Sequence, residues 1–208
     1  MKFSGIYAIT DDALLPAEQL LHKVELALRA GIALLQYRSK TATRESKQHI
    51  ASELALLCAS YQVPLLINDD PQLALESGAQ GVHLGQSDGD IKATRKLLGS
   101  DAIIGVTCHA SLEKAQIAEA VGADYVAFGR FFPSSTKPEA PPAELTLLGE
   151  AKQKLTLPIV AIGGINPENG ASAIAAGADM LAVIHSLFGE SDVSANAARL
   201  VSLFRNNQ

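Results

Sequence analysis

Ala175-Ala176-Gly177-Ala178-Asp179-Met180-Leu181-Ala182-Val183-Ile184 reads as the end of a helix, a glycine turn and a short apolar strand, joined without a linker. The same order occurs at Ala120-Val121-Gly122-Ala123-Asp124, at Glu76-Ser77-Gly78-Ala79 and at Arg29-Ala30-Gly31, each time ahead of another apolar run. Glycine at such a place suits a left-handed residue that ends a helix and feeds the next strand. The recurrence predicts a repeated helix-loop-strand unit.

Outward from this unit the chain carries eight short apolar runs separated by helix-like patterns: Ile6 to Thr10, Leu34 to Arg38, Leu65 to Asn68, Gly81 to Leu84, Ile103 to Thr107, Tyr125 to Gly129, Ile159 to Gly163 and Met180 to Ile184. Runs such as Leu65-Leu66-Ile67 and Ile159-Val160-Ala161-Ile162 are apolar at consecutive positions, as parallel strands covered on both faces are. Eight such strands alternating with helices predict an α/β fold, a single (β/α)8 TIM barrel, with residues 1–208 forming one catalytic domain. The alternative is an open doubly wound sheet, but no GxGxxG follows the first strand and no Pro- or Ser-rich linker divides the chain.

Composition narrows the partners. With 208 residues, 48% hydrophobic and 19% charged, the chain is long enough for one large core. A net charge of -5 and the lack of Lys/Arg runs interleaved with aromatics argue against nucleic acid. No apolar run approaches a membrane span, and the N-terminus leads straight into a strand-like segment, so the expected setting is the cytoplasm, with no membrane partner. Cys58 falls in an apolar helical pattern and Cys108 follows a strand, a spacing that fits neither a disulfide framework nor a metal site; core packing is the expected role of Cys58. The oligomeric state is open, a homodimer included.

In a parallel barrel the chemistry sits at the C-terminal ends of the strands. The second run ends in Gln36-Tyr37-Arg38-Ser39-Lys40, where alternation would project Gln36, Arg38 and Lys40 together while Tyr37 and Ser39 point away. Three convergent polar groups suggest an anion site; a strand end turning polar at the surface is the other reading. After the third run comes Asn68-Asp69-Asp70-Pro71: Asp70 is placed to cap the next helix, with proline at its first position, which leaves Asp69 free. Asp88, in the loop after the fourth run, could meet Asp69 across one barrel position, and two facing carboxylates suggest Mg²⁺; two turn or capping aspartates explain the same residues. The sixth run opens into Gly129-Arg130-Phe131-Phe132-Pro133-Ser134-Ser135-Thr136-Lys137-Pro138, dense in hydroxyls and closed by a lysine, and the seventh ends in Gly163-Gly164. Hydroxyls, backbone N–H groups and glycines that admit an anion suit phosphate; a flexible loop is the bland alternative.

Six of these segments in register, Tyr7-Ala8-Ile9-Thr10-Asp11, Gln36 to Lys40, Ile67-Asn68-Asp69, Gly81-Val82-His83-Leu84-Gly85-Gln86 with Asp88, Phe132-Pro133 through Thr136-Lys137, and Ala161-Ile162-Gly163-Gly164-Ile165, resemble the thiamine phosphate synthase family over nearly the whole chain. The resemblance implies a Mg²⁺-dependent barrel enzyme that joins a pyrimidine diphosphate to a thiazole phosphate and releases pyrophosphate. It implies that Arg38, Lys40, Asn68, Thr107 and Lys137 hold the diphosphate, with Tyr37 and Ser39 in the same segment, and that Gln36 meets the pyrimidine. Asp69 and Asp88 would hold Mg²⁺, and Ser134, Ser135, Thr136 and Gly164 the thiazole phosphate. Arg38, Lys40 and Lys137 would carry the catalytic charge, and with them the two carboxylates, the metal ion and the diphosphate sum to nearly zero. The implied chemistry is dissociative: the diphosphate leaves first and the thiazole nitrogen captures a pyrimidine methyl cation, with no protein nucleophile. Tyr7 and His83 fall near the pyrimidine pocket without an assigned role, and His22 and His49 are expected on solvent-facing helices.

Three residues depart from the family pattern: Thr107 where serine is common, Arg130 after Gly129, and His185 where serine is frequent, with Ser186 or the histidine itself as a replacement. Two other readings stay open. A thiazole tautomerase-like isomerase would use His109 and His185; a non-catalytic thiamine phosphate binding protein would need no turnover.

Overall fold

A computed structural model describes residues 3–85, 89–133 and 142–205 of the chain. Eight strands, β1 (Gly5–Ile9), β2 (Leu34–Tyr37), β3 (Leu65–Asn68), β4 (Gly81–Leu84), β5 (Ile103–His109), β6 (Tyr125–Phe128), β7 (Ile159–Ile162) and β8 (Met180–Val183), follow chain order around a closed parallel barrel. The expected (β/α)8 barrel is what forms, and strand ends fall within two residues of the apolar runs. Helices α1 (Ala17–Ala30), α2 (Arg44–Ser60), α3 (Pro71–Ser77), α4 (Ile91–Leu98), α5 (Leu112–Ala120), α6 (Thr146–Lys154), α7 (Gly170–Ala176), α8 (His185–Phe188) and α9 (Val193–Arg205) make the outer layer, α9 lying against α1 to close the ring. None of the described helices is long and apolar enough to cross a membrane.

Alternation along each strand divides the core in two. Ile6, Ala8, Leu35, Leu65, Ile67, Val126, Phe128 and Leu181 face outward into one cluster with helix residues such as Val24, Leu54 and Leu148. Tyr7, Ile9, Leu34, Leu66, Tyr125, Val160 and Met180 face inward and fill the barrel. Cys58 and Cys108 belong to the outer cluster, and burial pushes both thiols up to about 12. They are packing residues, as expected of Cys58. His22 and His49 are exposed on α1 and α2.

Two of the glycine turns end their helices as predicted, Gly31 and Gly78 closing α1 and α3 in the left-handed conformation with φ of 96° and 74°, whereas Val121 caps α5 ahead of Gly122 and Gly177 caps α7 at φ 121°. The residue two places after the glycine adds something the apolar pattern does not announce. Asp124 accepts from the N–H of Ile104, Asp179 from that of Ile159, each at 2.7 Å, and Gln80 from that of Leu65 at 2.8 Å. Each of these side chains thus clasps the start of the preceding strand and satisfies a backbone donor at the N-terminal rim. Arg95 of α4 and Lys152 of α6, both 2.6 Å away, neutralise the two aspartates.

Candidate active site

The C-terminal mouth of the barrel opens into a cavity of about 600 Å³. Gln36 and Arg38 enter it from β2, Asn68 and Asp69 from the end of β3, His83 from β4, Thr107 and His109 from β5, and Gly164 from the turn after β7. Six residues named from the sequence, Gln36, Arg38, Asn68, Asp69, Thr107 and Gly164, therefore line one cavity. Asp88, Ser134, Ser135, Thr136 and Lys137 lie outside the described residues.

Tyr37 departs from its expected role. It is 3% exposed and packs in the outer, helix-facing cluster, because alternation turns it away from Gln36 and Arg38; its side chain forms no part of the cavity. Ser39 is also turned aside, its Oγ accepting from the N–H of Ala42 at 3.3 Å. Lys40 stands beyond the end of β2, on the rim, and reaches inward to Asp69 at 3.3 Å.

Asp70 caps α3 as predicted, accepting from the N–H of Leu73 at 2.8 Å with Pro71 at the first position of the helix. Asp69 just before it adopts φ 60°, a left-handed conformation that Asp and Asn tolerate better than most residues. This turns its carboxylate back over the barrel mouth. Oδ1 accepts from the N–H of Gly85 at 3.1 Å, and Oδ2 from Asn68 Nδ2 at 2.6 Å and from Lys40 Nζ at 3.3 Å. Burial disfavours the charge on Asp69, but the donors from Gly85, Lys40 and Asn68 outweigh it and hold the carboxyl below its usual range. The result is an ionised carboxylate at the rim. Among the described residues no three His, Cys, Asp or Glu side chains gather into a metal cage. A single hard oxygen donor of this kind fits Mg²⁺, which keeps several waters and is held by one or two carboxylates together with substrate phosphates.

Arg38 and the loop that carries Lys40 are positioned by three residues to which the sequence assigned no role. Thr10, buried at the end of β1, accepts from the Arg38 N–H at 2.8 Å and donates to the Arg38 carbonyl at 3.1 Å. Asp11 holds the guanidinium, Nη1 to Oδ2 at 2.9 Å, with both side chains mostly buried. Asp12 Oδ2 accepts from the N–H groups of Lys40 at 2.7 Å and Thr41 at 2.9 Å, and so fixes the loop that carries Lys40. The signal for this cluster was the polar close of the first run, Thr10-Asp11-Asp12, beside the polar close of the second.

The floor of the cavity is a chain of hydrogen bonds across five strands. Gln36 Nε2 donates to Tyr7 Oη at 2.5 Å; Tyr7 and Tyr125 share a bond of 2.8 Å; Tyr125 Oη meets His83 Nδ1 at 2.7 Å; and His83 Nε2 meets Thr107 Oγ1 at 2.8 Å. Burial keeps both phenols protonated, their pKa values raised above the ordinary range.

Gly163 and Gly164 serve the close approach of protein before that of any anion. A Cβ on Gly164 would sit 2.2 Å from the Pro133 carbonyl oxygen, and one on Gly163 would sit 2.5 Å from the Arg130 Cβ. The two glycines let the loops after β6 and β7 touch. Both replacements considered after β8, His185 and Ser186, line the cavity, and Ser186 Oγ donates to the Ile165 carbonyl at 2.7 Å and ties α8 to the loop after β7.

Comparison with known proteins agrees with this geometry. The family described as Thiamine monophosphate synthase matches residues 6–187. Thiamine-phosphate synthase from Saccharophagus degradans is 55% identical over 202 residues, 97% of this chain and 93% of that protein. The one from Alcanivorax borkumensis is 52% identical over 210 residues, 100% of this chain and 97% of that protein. Among solved structures, thiamine phosphate pyrophosphorylase from Pyrococcus furiosus superposes with a TM-score of 0.90 at 32% identity, covering 99% of this chain and 97% of that one.

Proposed function

The chain belongs to the thiamine monophosphate synthase family, transferases of thiamine biosynthesis that act on small molecules, and from that premise we propose how its cavity joins a pyrimidine diphosphate to a thiazole phosphate. One observation carries the reading: Arg38, Asn68, Asp69 and Thr107 line one side of a single cavity, with Lys40 on the rim beside Asp69, and Gly164 lies across the mouth. That polarity suits a large anionic leaving group on the β2 to β5 side and a smaller phosphate at the turn after β7.

Gln36 takes the pyrimidine ring, and Arg38, Lys40, Asn68 and Thr107, with Lys137, take its diphosphate. Asp69 and Asp88 would hold Mg²⁺, which when bound neutralises charge on the phosphate oxygens. The protein side of the reaction is positioning and charge neutralisation. As the C–O bond to the diphosphate lengthens, negative charge builds on the departing oxygens, where the Arg38 guanidinium stands already oriented by Asp11. The thiazole, held through its phosphate near Gly164 with help from Ser134 to Thr136, presents its nitrogen to the pyrimidine methyl carbon as that carbon loses the diphosphate. Pyrophosphate and thiamine phosphate leave. The described elements from Gly5 to Arg205 all belong to the barrel and its coat, in keeping with one catalytic domain; the cytoplasm as its setting, and a homodimer as an option, belong to the same proposal.

The deciding experiment incubates the purified chain with both substrates, with Mg²⁺ or with EDTA, and follows pyrophosphate and thiamine phosphate together. Equal, Mg²⁺-dependent appearance of the two is expected. Thiazole phosphate binding without either product would overturn the reading and favour the isomerase, for which His109 and His185 at the cavity wall speak.

A further inference from the structure

The turn Gly163-Gly164-Ile165 after β7 is gripped by side chains, and the grip decides which face of its backbone meets the cavity. Gly164 stands at φ 67°, and its carbonyl oxygen accepts from Asn169 Nδ2 at 2.9 Å. The other end of the same amide, Asn169 Oδ1, accepts from the Asn166 N–H at 2.9 Å. These partners leave the amide one orientation, because only its NH2 end can meet a carbonyl and only its oxygen can meet an N–H. Asn169 is anchored in its turn: Asn166 Oδ1 accepts from the N–H groups of Glu168 and Asn169, both at 3.0 Å. The carbonyl of Ile165 is taken as well, by Ser186 Oγ.

Gly164 and Ile165 line the cavity, whereas Asn169, just ahead of α7, does not. The Gly164 carbonyl, drawn to Asn169, therefore points out of the cavity. The bond between Gly164 and Ile165 is trans, and in a trans peptide the C=O of one residue and the N–H of the next point opposite ways. The Ile165 N–H is thus turned to the cavity side. The Ile165 side chain goes the other way, 4% exposed within the outer cluster, so it is backbone that this residue gives to the cavity wall. Among the described residues nothing accepts from that N–H.

We propose that Asn169 is a positioning residue for the thiazole phosphate: from behind the cavity wall it holds the peptide between Gly164 and Ile165 with its oxygen turned away and its N–H toward the phosphate. The same peptide turned over would put a carbonyl oxygen in that place, and a carbonyl repels an anion that an N–H attracts. The role deepens the substrate reading above and rests on it. Asn169 touches no substrate; its work is to keep one peptide plane out of two.

Proton–nitrogen NMR of the whole chain labelled at isoleucine, with the Ile165 amide identified by its loss in Ile165→Val, tests the orientation without turnover. The Ile165 amide proton should move downfield as thiazole phosphate is titrated in and supplies its acceptor. Saturation with that signal unmoved overturns the proposal. The second test is Asn169→Asp, which keeps an oxygen for the Asn166 N–H and removes the donor to Gly164. The KM for thiazole phosphate should rise about tenfold, the scale of a hydrogen bond to a charged group. The KM for the pyrimidine diphosphate, and turnover at saturating thiazole phosphate, should stay within about twofold. A loss of turnover at saturation with the thiazole phosphate KM unmoved, or an equal rise in both KM values, marks a merely structural role and overturns the assignment. If Asn169→Asp does not fold, the Ile165 signal of the native chain decides alone. An Ile165 signal that moves in a chain that releases no pyrophosphate sinks the substrate reading and leaves Asn169 its phosphate; an unmoved signal in a chain that makes thiamine phosphate sinks Asn169 alone.

Discussion

Gly105 and Tyr125 are register partners on β5 and β6, and a Cβ added to Gly105 would fall 2.2 Å from Tyr125 Oη and 1.9 Å from the ring carbon that bears it. The missing side chain of one strand is the seat of the hydroxyl of the next. Gly105→Ala should therefore destabilise the barrel by about 3 kcal/mol, at the upper end of overpacking costs. In a Tyr125→Ala background the same methyl enters vacated space and should cost less than about 1 kcal/mol, a coupling that urea unfolding of the four chains would measure.

Asp12 sets a pH dependence. Its burial disfavours ionisation, yet the donors from Thr41, Ser39 and Lys40 win, and its carboxyl sits below the ordinary value. A group whose pKa is depressed by folding stabilises the fold above its unfolded pKa, about 4, and the contribution fades as pH falls through the lower, folded value. Asp12→Asn should flatten the loss of stability on acidification below about pH 4. Parallel curves for the two chains would show that the carboxylate does not anchor the Lys40 loop.

Arg38→Lys tests the oriented guanidinium. Arginine can give Nη1 to Asp11 and still offer its remaining donors to phosphate, whereas an ammonium is a point charge that must share one position between them. We expect the KM for the pyrimidine diphosphate to rise about tenfold, with that for the thiazole phosphate unmoved. A lysine variant with native KM values would take Arg38 out of the site.

Asp69→Asn keeps a residue that tolerates φ 60° and an oxygen for the Gly85 N–H, and replaces the charged oxygen that accepts from Asn68 and Lys40 with an NH2 group at the exposed rim. The urea midpoint should hardly move, while turnover with Mg²⁺ should drop about a hundredfold or more. EDTA should silence the native chain and added Mg²⁺ restore it. Near-native turnover in the variant would refute Asp69 as a ligand.

The barrel was legible because its strands are buried on both sides and so read as uninterrupted apolar runs, with helix-ending glycines between them. Alternation also placed Gln36 and Arg38 together, and Asp70-Pro71 announced the cap that leaves Asp69 to the cavity. The same alternation turned Tyr37 outward, although it stands inside a contiguous motif. Lys40 reaches the site by another route, since β2 ends at Tyr37 and the strand parity no longer applies. The Tyr7–Tyr125 bond across 118 residues left no local trace, and the pairing of Asp12 with the N–H groups of residues 40 and 41 showed only as two polar run ends. The reason for Gly164 was legible only in part, for the nearest atom its absent Cβ would meet is the Pro133 carbonyl oxygen.

A closed ring of eight strands has no first member, yet the rim clasps give this one a construction unit and a seam. Gln80, Asp124 and Asp179 bind β3 to β4, β5 to β6 and β7 to β8, while β2, whose approach runs Gly31-Ile32-Ala33, carries an alanine at the matching place. The barrel is thus assembled from quarters of two strands each, three of them latched at the base and one not. The unlatched quarter carries Thr10, Asp11, Gln36 and Arg38, so the part of the ring without a side-chain latch at its base bears the guanidinium that we propose meets the leaving group.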